Sequence, residues 1–168
     1  YEPSGEIHLG HLVTINKRME MKNGIPLNII HAGSQEVVRL DILVWGGQCQ
    51  QEQPLQAMFT NRMLREGTSS FTSQEIAEKL DYYGAWLELS SSLNCGFITL
   101  YSLNKYFPKV LEIISDMLMH PLFPEKELDI VREVNKQQFL VNSTRVEVIS
   151  RKLFNRSLFG EQHPLGRY

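Results

Sequence analysis

The sequence predicts an α+β fold, a mainly antiparallel sheet with helices packed on one face. Three observations carry this expectation. Val38, Leu40, Ile42 and Val44 alternate with Val37, Arg39, Asp41 and Leu43, which describes a strand with one apolar face and one mixed face. The run Thr72-Ser73-Gln74-Glu75 is a capping box at the start of a helix. Phe107, Val110, Leu111, Ile114 and Leu118 recur at helical spacing and mark the inner face of another.

Taken in order, residues 1–14 are turn-rich and are expected to form an N-terminal extension lying loosely on the surface, with a single domain over residues 15–168. Ile15–Met21 and Ile25–His31 read as two strands joined by the turn Lys22-Asn23-Gly24. A second turn, Ala32-Gly33-Ser34, leads into the strand Glu36–Trp45. Pro54 suits the first turn of a helix that Gly67 closes. Leu55, Met58, Phe59 and Met63 give that helix an apolar stripe, and Arg62 stands on the same stripe, where a buried face would not ordinarily place a charge. The helix that begins at the capping box runs to about Tyr83 and is stopped by Gly84. Strands Ala85–Leu93 and Gly96–Leu103 follow, joined near Asn94. The third helix ends before Pro121, and Phe123-Pro124 opens a fourth, long and with a bend, reaching towards Phe159. No internal repeat, low-complexity segment or linker interrupts residues 15–168.

Composition narrows the function classes. A chain of 168 residues is large enough for one substantial core, and 42% hydrophobic with 21% charged residues is the balance of a globular protein. A formal charge of −2 makes no electrostatic case for nucleic acid or an anionic membrane, and apolar runs of only a few residues exclude a membrane span. There is no glycine-rich phosphate loop and no GxSxG elbow. Cys49 and Cys95 could form one bridge at most and are expected to be free, buried thiols. That leaves the compartment open: cytoplasmic or periplasmic if the source is bacterial. His8 and His11 form an HxxH pair, but Gly10 and the missing third ligand argue against a metal site there.

Several ordered landmarks go further than composition. They are KNGIPLNII, ILVWGG, MLREGT, IAEKLDYYGAWLELSSS, KVLEIISDMLMHPLFPEKELDIVREV and FGEQHPLGR, covering about residues 18 to 167. In content, order and spacing this set resembles the first domain of the pitrilysin/insulinase peptidases, the family that includes the mitochondrial processing peptidase. Active members carry HxxEH on the first helix, two histidines binding zinc and a glutamate acting as general base on a metal-bound water. A further glutamate from the long helix completes the protein ligands. The resemblance places the first histidine on Met58, the base on Asn61 and the second histidine on Arg62. The last ligand falls on Gln138, 76 residues beyond Arg62.

All four are replaced. A thioether, two neutral carboxamides and a permanent cation neither hold zinc nor accept a proton from water. The resemblance therefore implies a non-catalytic homologue without zinc, with Arg62 filling vacated space and pairing with Glu66 or Glu133; the alternative is that the helix turns Arg62 to solvent while Met58 packs as ordinary core. It also implies an edge strand that pairs with extended peptide, here Trp86, Leu87, Glu88, Leu89 and Ser90. The partners so implied are an active zinc-bearing family member or second domain, a peptide or unfolded polypeptide, and a homo- or hetero-oligomer. The family's first domain continues past this point, so the resemblance also implies a chain truncated relative to it. The alternative is a hydrolase with a site re-formed from His8, His11 and His31 or from the thiols of Cys49 and Cys95.

Overall fold

A computed structural model describes residues 15–31 and 33–166. The expected N-terminal extension, with His8 and His11, lies outside the described residues, as do Ala32 and Arg167. The chain divides into two compact units between Glu36 and Val37. In the first, β1 (Ile15–Glu20) and β2 (Pro26–Ile30) pair antiparallel. Met21 N–H donates to Ile25 O at 2.9 Å, and Asn23 Oδ1 accepts from Ile25 N–H at 3.2 Å, closing the turn at Lys22–Gly24.

The second unit holds β3 (Val37–Trp45), α1 (Gln56–Met63), α2 (Ser73–Tyr82), β4 (Trp86–Ser91), β5 (Cys95–Leu103), α3 (Phe107–Met119), α4 (Glu125–Ser143) and α5 (Val146–Phe159). Its sheet has the order β3-β5-β4, antiparallel throughout, with Leu40 opposite Leu100 and Leu87 opposite the same residue from the other side. The fold class is therefore α+β, as the sequence predicts. One sheet face carries Leu40, Ile42, Leu87 and Leu100 into a core with Ile76 and Leu80 of α2 and Val110, Ile113, Ile114 and Met117 of α3. The opposite face is the mixed one. There Arg39 Nε and Nη2 donate to Asp41 at 3.1 Å, and the buried Thr99 hydroxyl donates to the same carboxylate at 2.8 Å. These bonds tie the exposed Arg39–Asp41 pair of β3 to the neighbouring strand β5.

The capping box forms as expected. Thr72 Oγ1 accepts from Glu75 N–H at 3.3 Å and Glu75 Oε2 accepts from Thr72 N–H at 2.8 Å. The Thr72 N–H and the Thr72 hydroxyl, the latter at 2.9 Å, both donate to the Glu75 carboxylate and hold it below its ordinary range. Thr72→Ala is expected to cost about 1 kcal/mol of stability, read from the midpoint of urea unfolding. Gly84 takes the left-handed conformation at φ +61° that ends α2, with its N–H on Asp81 O at 2.9 Å. Between α1 and α2, Asp116 of α3 ties down the connecting loop. It accepts from the Ser70 hydroxyl at 3.2 Å and lies 3.1 Å from His120 Nδ1. The Thr68 hydroxyl, opposed by burial and aided by His120 and Ser70, holds the Asp116 carboxyl below the usual carboxylate range.

Local expectations fail at four places. Pro54 precedes the first helix instead of opening it, because Leu55 takes φ +70° as its N-cap and the helix begins at Gln56. Gly67 does not close that helix, which ends at Met63. Its φ of +142° instead serves an isolated bridge to Thr72. Leu111 is 39% exposed, because the inner face of α3 is set by Val110, Ile113, Ile114 and Met117. The long fourth helix is two helices. Ser143 Oγ and Thr144 Oγ1 bond the carbonyls of Leu140 and Val141 at 2.8 Å, and Arg145 turns extended before α5 begins. Among the described residues, no helix is long and apolar enough to cross a membrane.

Candidate functional site

Helix α1 sits against β4 and β5 on one side and α4 on another, so the residues singled out from the sequence lie where three elements meet. Of the two expectations for the charged residue, the structure takes exposure to solvent. Arg62 is exposed, and the buried polar residue of α1 is its neighbour Asn61, 7% exposed. A helix turns about 100° per residue, so consecutive residues cannot share a face. Met63 takes the core and Asn61 takes the hairpin, which turns Arg62 outward.

Asn61 Nδ2 donates to Ser90 O of β4 and to Phe97 O of β5, the latter at 3.3 Å. Ser90 and Phe97 are register partners, so one side-chain amide bridges both strands of the hairpin. The approach depends on Gly96, where a Cβ would lie 3.3 Å from Asn61 Nδ2. Asn61 Oδ1 is buried and has no donor. In the sequence Asn61 stands out only by alignment; nothing in its local pattern marks it as a clamp between strands distant in the chain.

Arg62 Nη1 donates to Asn135 Oδ1 on α4, and Asn135 Nδ2 in turn donates to Val131 O at 2.7 Å. The expected partners of Arg62 are engaged elsewhere: Glu66 with Arg65 at 3.3 Å and Glu133 with Lys136 at 3.7 Å. Glu133 and Lys136 are i,i+3 neighbours on α4, a spacing that brings side chains together, and Arg65 and Glu66 are adjacent in the turn after α1. Gln138 is exposed and donates to Asn142 Oδ1 at 3.2 Å, so it is Asn135, one turn earlier, that α4 brings to Arg62. Sequence reasoning missed Asn135 altogether. Met58 is half-buried.

The expected peptide-pairing residues Trp86, Leu87, Glu88, Leu89 and Ser90 all lie on β4. Among the described strands β4 pairs with β5 alone, which leaves its outer edge unpaired. Leu87 and Leu89 are half-buried, while Trp86, Glu88 and Ser90 are exposed, with Trp86 at 68%. Of the re-formed-site candidates, His8 and His11 lie outside the described residues. His31 is exposed, and both thiols are free, with Cys49 exposed, contrary to the expected burial, and Cys95 half-buried. Cys49 lies in the loop after β3, and its N–H donates to Leu93 O, between β4 and β5, at 2.8 Å.

Chemically, this arrangement holds elements together. Met58, Asn61, Arg62 and Gln138 offer no imidazole, thiolate or carboxylate, the donors zinc takes from proteins, and so do not fit the ion. Among the described residues, no three His, Cys, Asp or Glu side chains come together to hold a metal ion.

Comparison with known proteins bears on the whole chain. The model of a family described as Insulinase (Peptidase family M16) matches residues 29–163. An uncharacterized zinc protease, YmxG of Bacillus subtilis, is 22% identical over 152 residues, which is 89% of this chain and 37% of that protein. The crystal structure of a peptidase M16 inactive domain from Pseudomonas fluorescens superposes with a TM-score of 0.80 at 18% identity, over 90% of this chain and 37% of that one. The chain thus spans a little over a third of the length of either. A separate 22-residue stretch, 13% of the chain, is 91% identical to 7% of the tyrosine–tRNA ligase of Methanocorpusculum labreanum. A likeness that short carries neither fold nor activity.

Proposed function

Since the chain belongs to the insulinase family, Peptidase family M16, we propose that it is a non-catalytic member that helps to enclose and hold peptide for a zinc-bearing subunit or domain. One observation carries this reading: the turn of α1 that would present a base and a metal ligand instead spends both side chains on structure. Asn61 clamps the β4–β5 hairpin, and Arg62 reaches Asn135 on α4. The inactive peptidase M16 domain from Pseudomonas fluorescens, which shares the fold, supports the same reading. The unpaired edge of β4 offers backbone groups to an extended peptide, a mode that needs no particular side chain. Val134 of α4 and Leu153 and Phe154 of α5 are each at least 60% exposed, the kind of apolar surface an enclosing partner covers.

The test is metal content after dialysis together with hydrolysis of an unstructured peptide. The expected result is no stoichiometric zinc and no cleavage by this chain alone. Stoichiometric zinc with hydrolysis that a chelator abolishes would overturn the reading.

A further inference from the structure

A groove of about 460 Å³ lies between α2 and the start of β4. Its floor is apolar, with Ile76 and Leu80 of α2 buried and Ala77, Ala85 and Leu87 beside them. The lining takes nothing from β5 or α3, and it includes both Trp86 and Leu87, successive residues that point to opposite faces of the sheet. The groove therefore opens along the outer edge of β4, the edge that no described strand pairs with. Its volume falls within the range of small-ligand sites, about 300–1,000 Å³, and accommodates one large apolar side chain.

An extended segment pairing with that edge would continue the rungs of the sheet. Residues opposite one another on neighbouring strands point to the same face, and successive residues alternate. The residue opposite Leu87 is thus sent to the core face, where the groove lies. The next one, opposite Glu88, is sent to the mixed face. Glu88 is exposed and is the only ionisable side chain on β4. Its neighbour across the rung is Thr99, whose hydroxyl already donates to Asp41, and Asp41 also holds Arg39, the one cation of that face. At the groove, Glu66 is paired with Arg65, and Asp81 adds a further negative charge. Groove and mixed face together set Arg39 and Arg65 against Asp41, Glu66, Asp81 and Glu88, so the edge joins an apolar recess to a net negative charge.

We propose that a peptide laid along the β4 edge inserts a large apolar side chain into this groove and sets an adjacent lysine or arginine against Glu88. This rests on the peptide-holding reading above. Groove and carboxylate select the peptide and fix its register, and no bond is made or broken.

The experiment is fluorescence anisotropy of labelled, unstructured peptides titrated with the full chain. The first peptide carries one adjacent leucine–lysine pair in a serine- and glycine-rich sequence. The second has alanine for the leucine, and the third has glutamine for the lysine. The first is expected to bind about tenfold tighter than the second, the worth of burying most of one large apolar side chain. It is expected to bind about threefold tighter than the third, the worth of one exposed cross-strand ion pair. Added salt narrows only the latter difference. Ala77→Leu fills the groove from an exposed position on α2 and removes the leucine preference. Leucine is a good helix former, so the thermal midpoint stays in place. Glu88→Gln removes the lysine preference and leaves the leucine preference.

Either preference missing, or surviving its own variant, would overturn this assignment and leave peptide holding standing. No binding of any peptide would overturn both.

Discussion

Asn61→Glu, a carboxylate where the resemblance to the family implies the general base, is expected to unfold the chain more readily without conferring hydrolysis. The side chain it replaces donates to Ser90 O and Phe97 O from a site that is 7% exposed. A carboxylate has no hydrogen to give, so it would face two carbonyl oxygens with like partial charge, buried and unpaired. A charge left in that state costs about 3–5 kcal/mol. The added methylene deepens the conflict, because Gly96 already brings the hairpin within 3.3 Å of the amide for any Cβ built there. Asn61→Asp separates the two causes, keeping the length while adding the charge.

The sign with pH follows from linkage. Such a carboxyl has a folded-state pKa raised above its unfolded value of about 4.3, so the penalty is full at neutral pH. It shrinks as pH falls through the raised value and is gone below the unfolded one. Urea unfolding of the variant and the parent at several pH values reads this directly. A variant as stable as its parent at neutral pH would show that Asn61 does not clamp the hairpin.

Leu100→Ala is the second large effect. Leu100 is 1% exposed on β5, the middle strand, with Leu40 and Leu87 opposite it. It belongs to the core cluster that Ile76, Leu80, Val110 and Ile114 complete. Rigid strands on both sides and two helices above leave little room for collapse into the void, so a loss of about 2–5 kcal/mol is expected. For a chain of this size each kcal/mol lowers the thermal midpoint by about 2–4 °C. Leu43→Ala is the control. Leu43 lies on β3 but on the opposite face and is 60% exposed, and its truncation is expected to change stability by less than about 0.5 kcal/mol. If the two variants melt alike, the core does not lie on the Leu100 face.

The elements that could be read from the chain are those whose cause is local. The capping box at Thr72–Glu75, the stop at Gly84 and the alternation of β3 each depend on residues within a few positions of one another. They formed where expected. The misreadings turn on backbone conformations and single side-chain bonds, which hydrophobic spacing does not report. Leu55 adopts a left-handed cap that its own type disfavours, and α1 ends before the glycine that looked like its terminator. The run expected as one long helix breaks where the hydroxyls of Ser143 and Thr144 turn back onto the preceding carbonyls. None of these choices is dictated by spacing alone.

For the candidate site the division is sharper. The sequence by itself determined which chemical groups stand at positions 58, 61, 62 and 138, and a thioether, two amides and a guanidinium rule out the usual zinc ligands whatever the fold. It also carried the ordered landmarks of the family. Only the tertiary structure decided that Asn61 is inside and Arg62 outside, that the amide bridges Ser90 and Phe97, and that Asn135 receives the guanidinium. The physical reason is that identity is a property of one residue, whereas the face a helix turns inward is set by the surfaces it meets. Here those surfaces come from β4, β5 and α4, about 30 to 75 positions further along the chain.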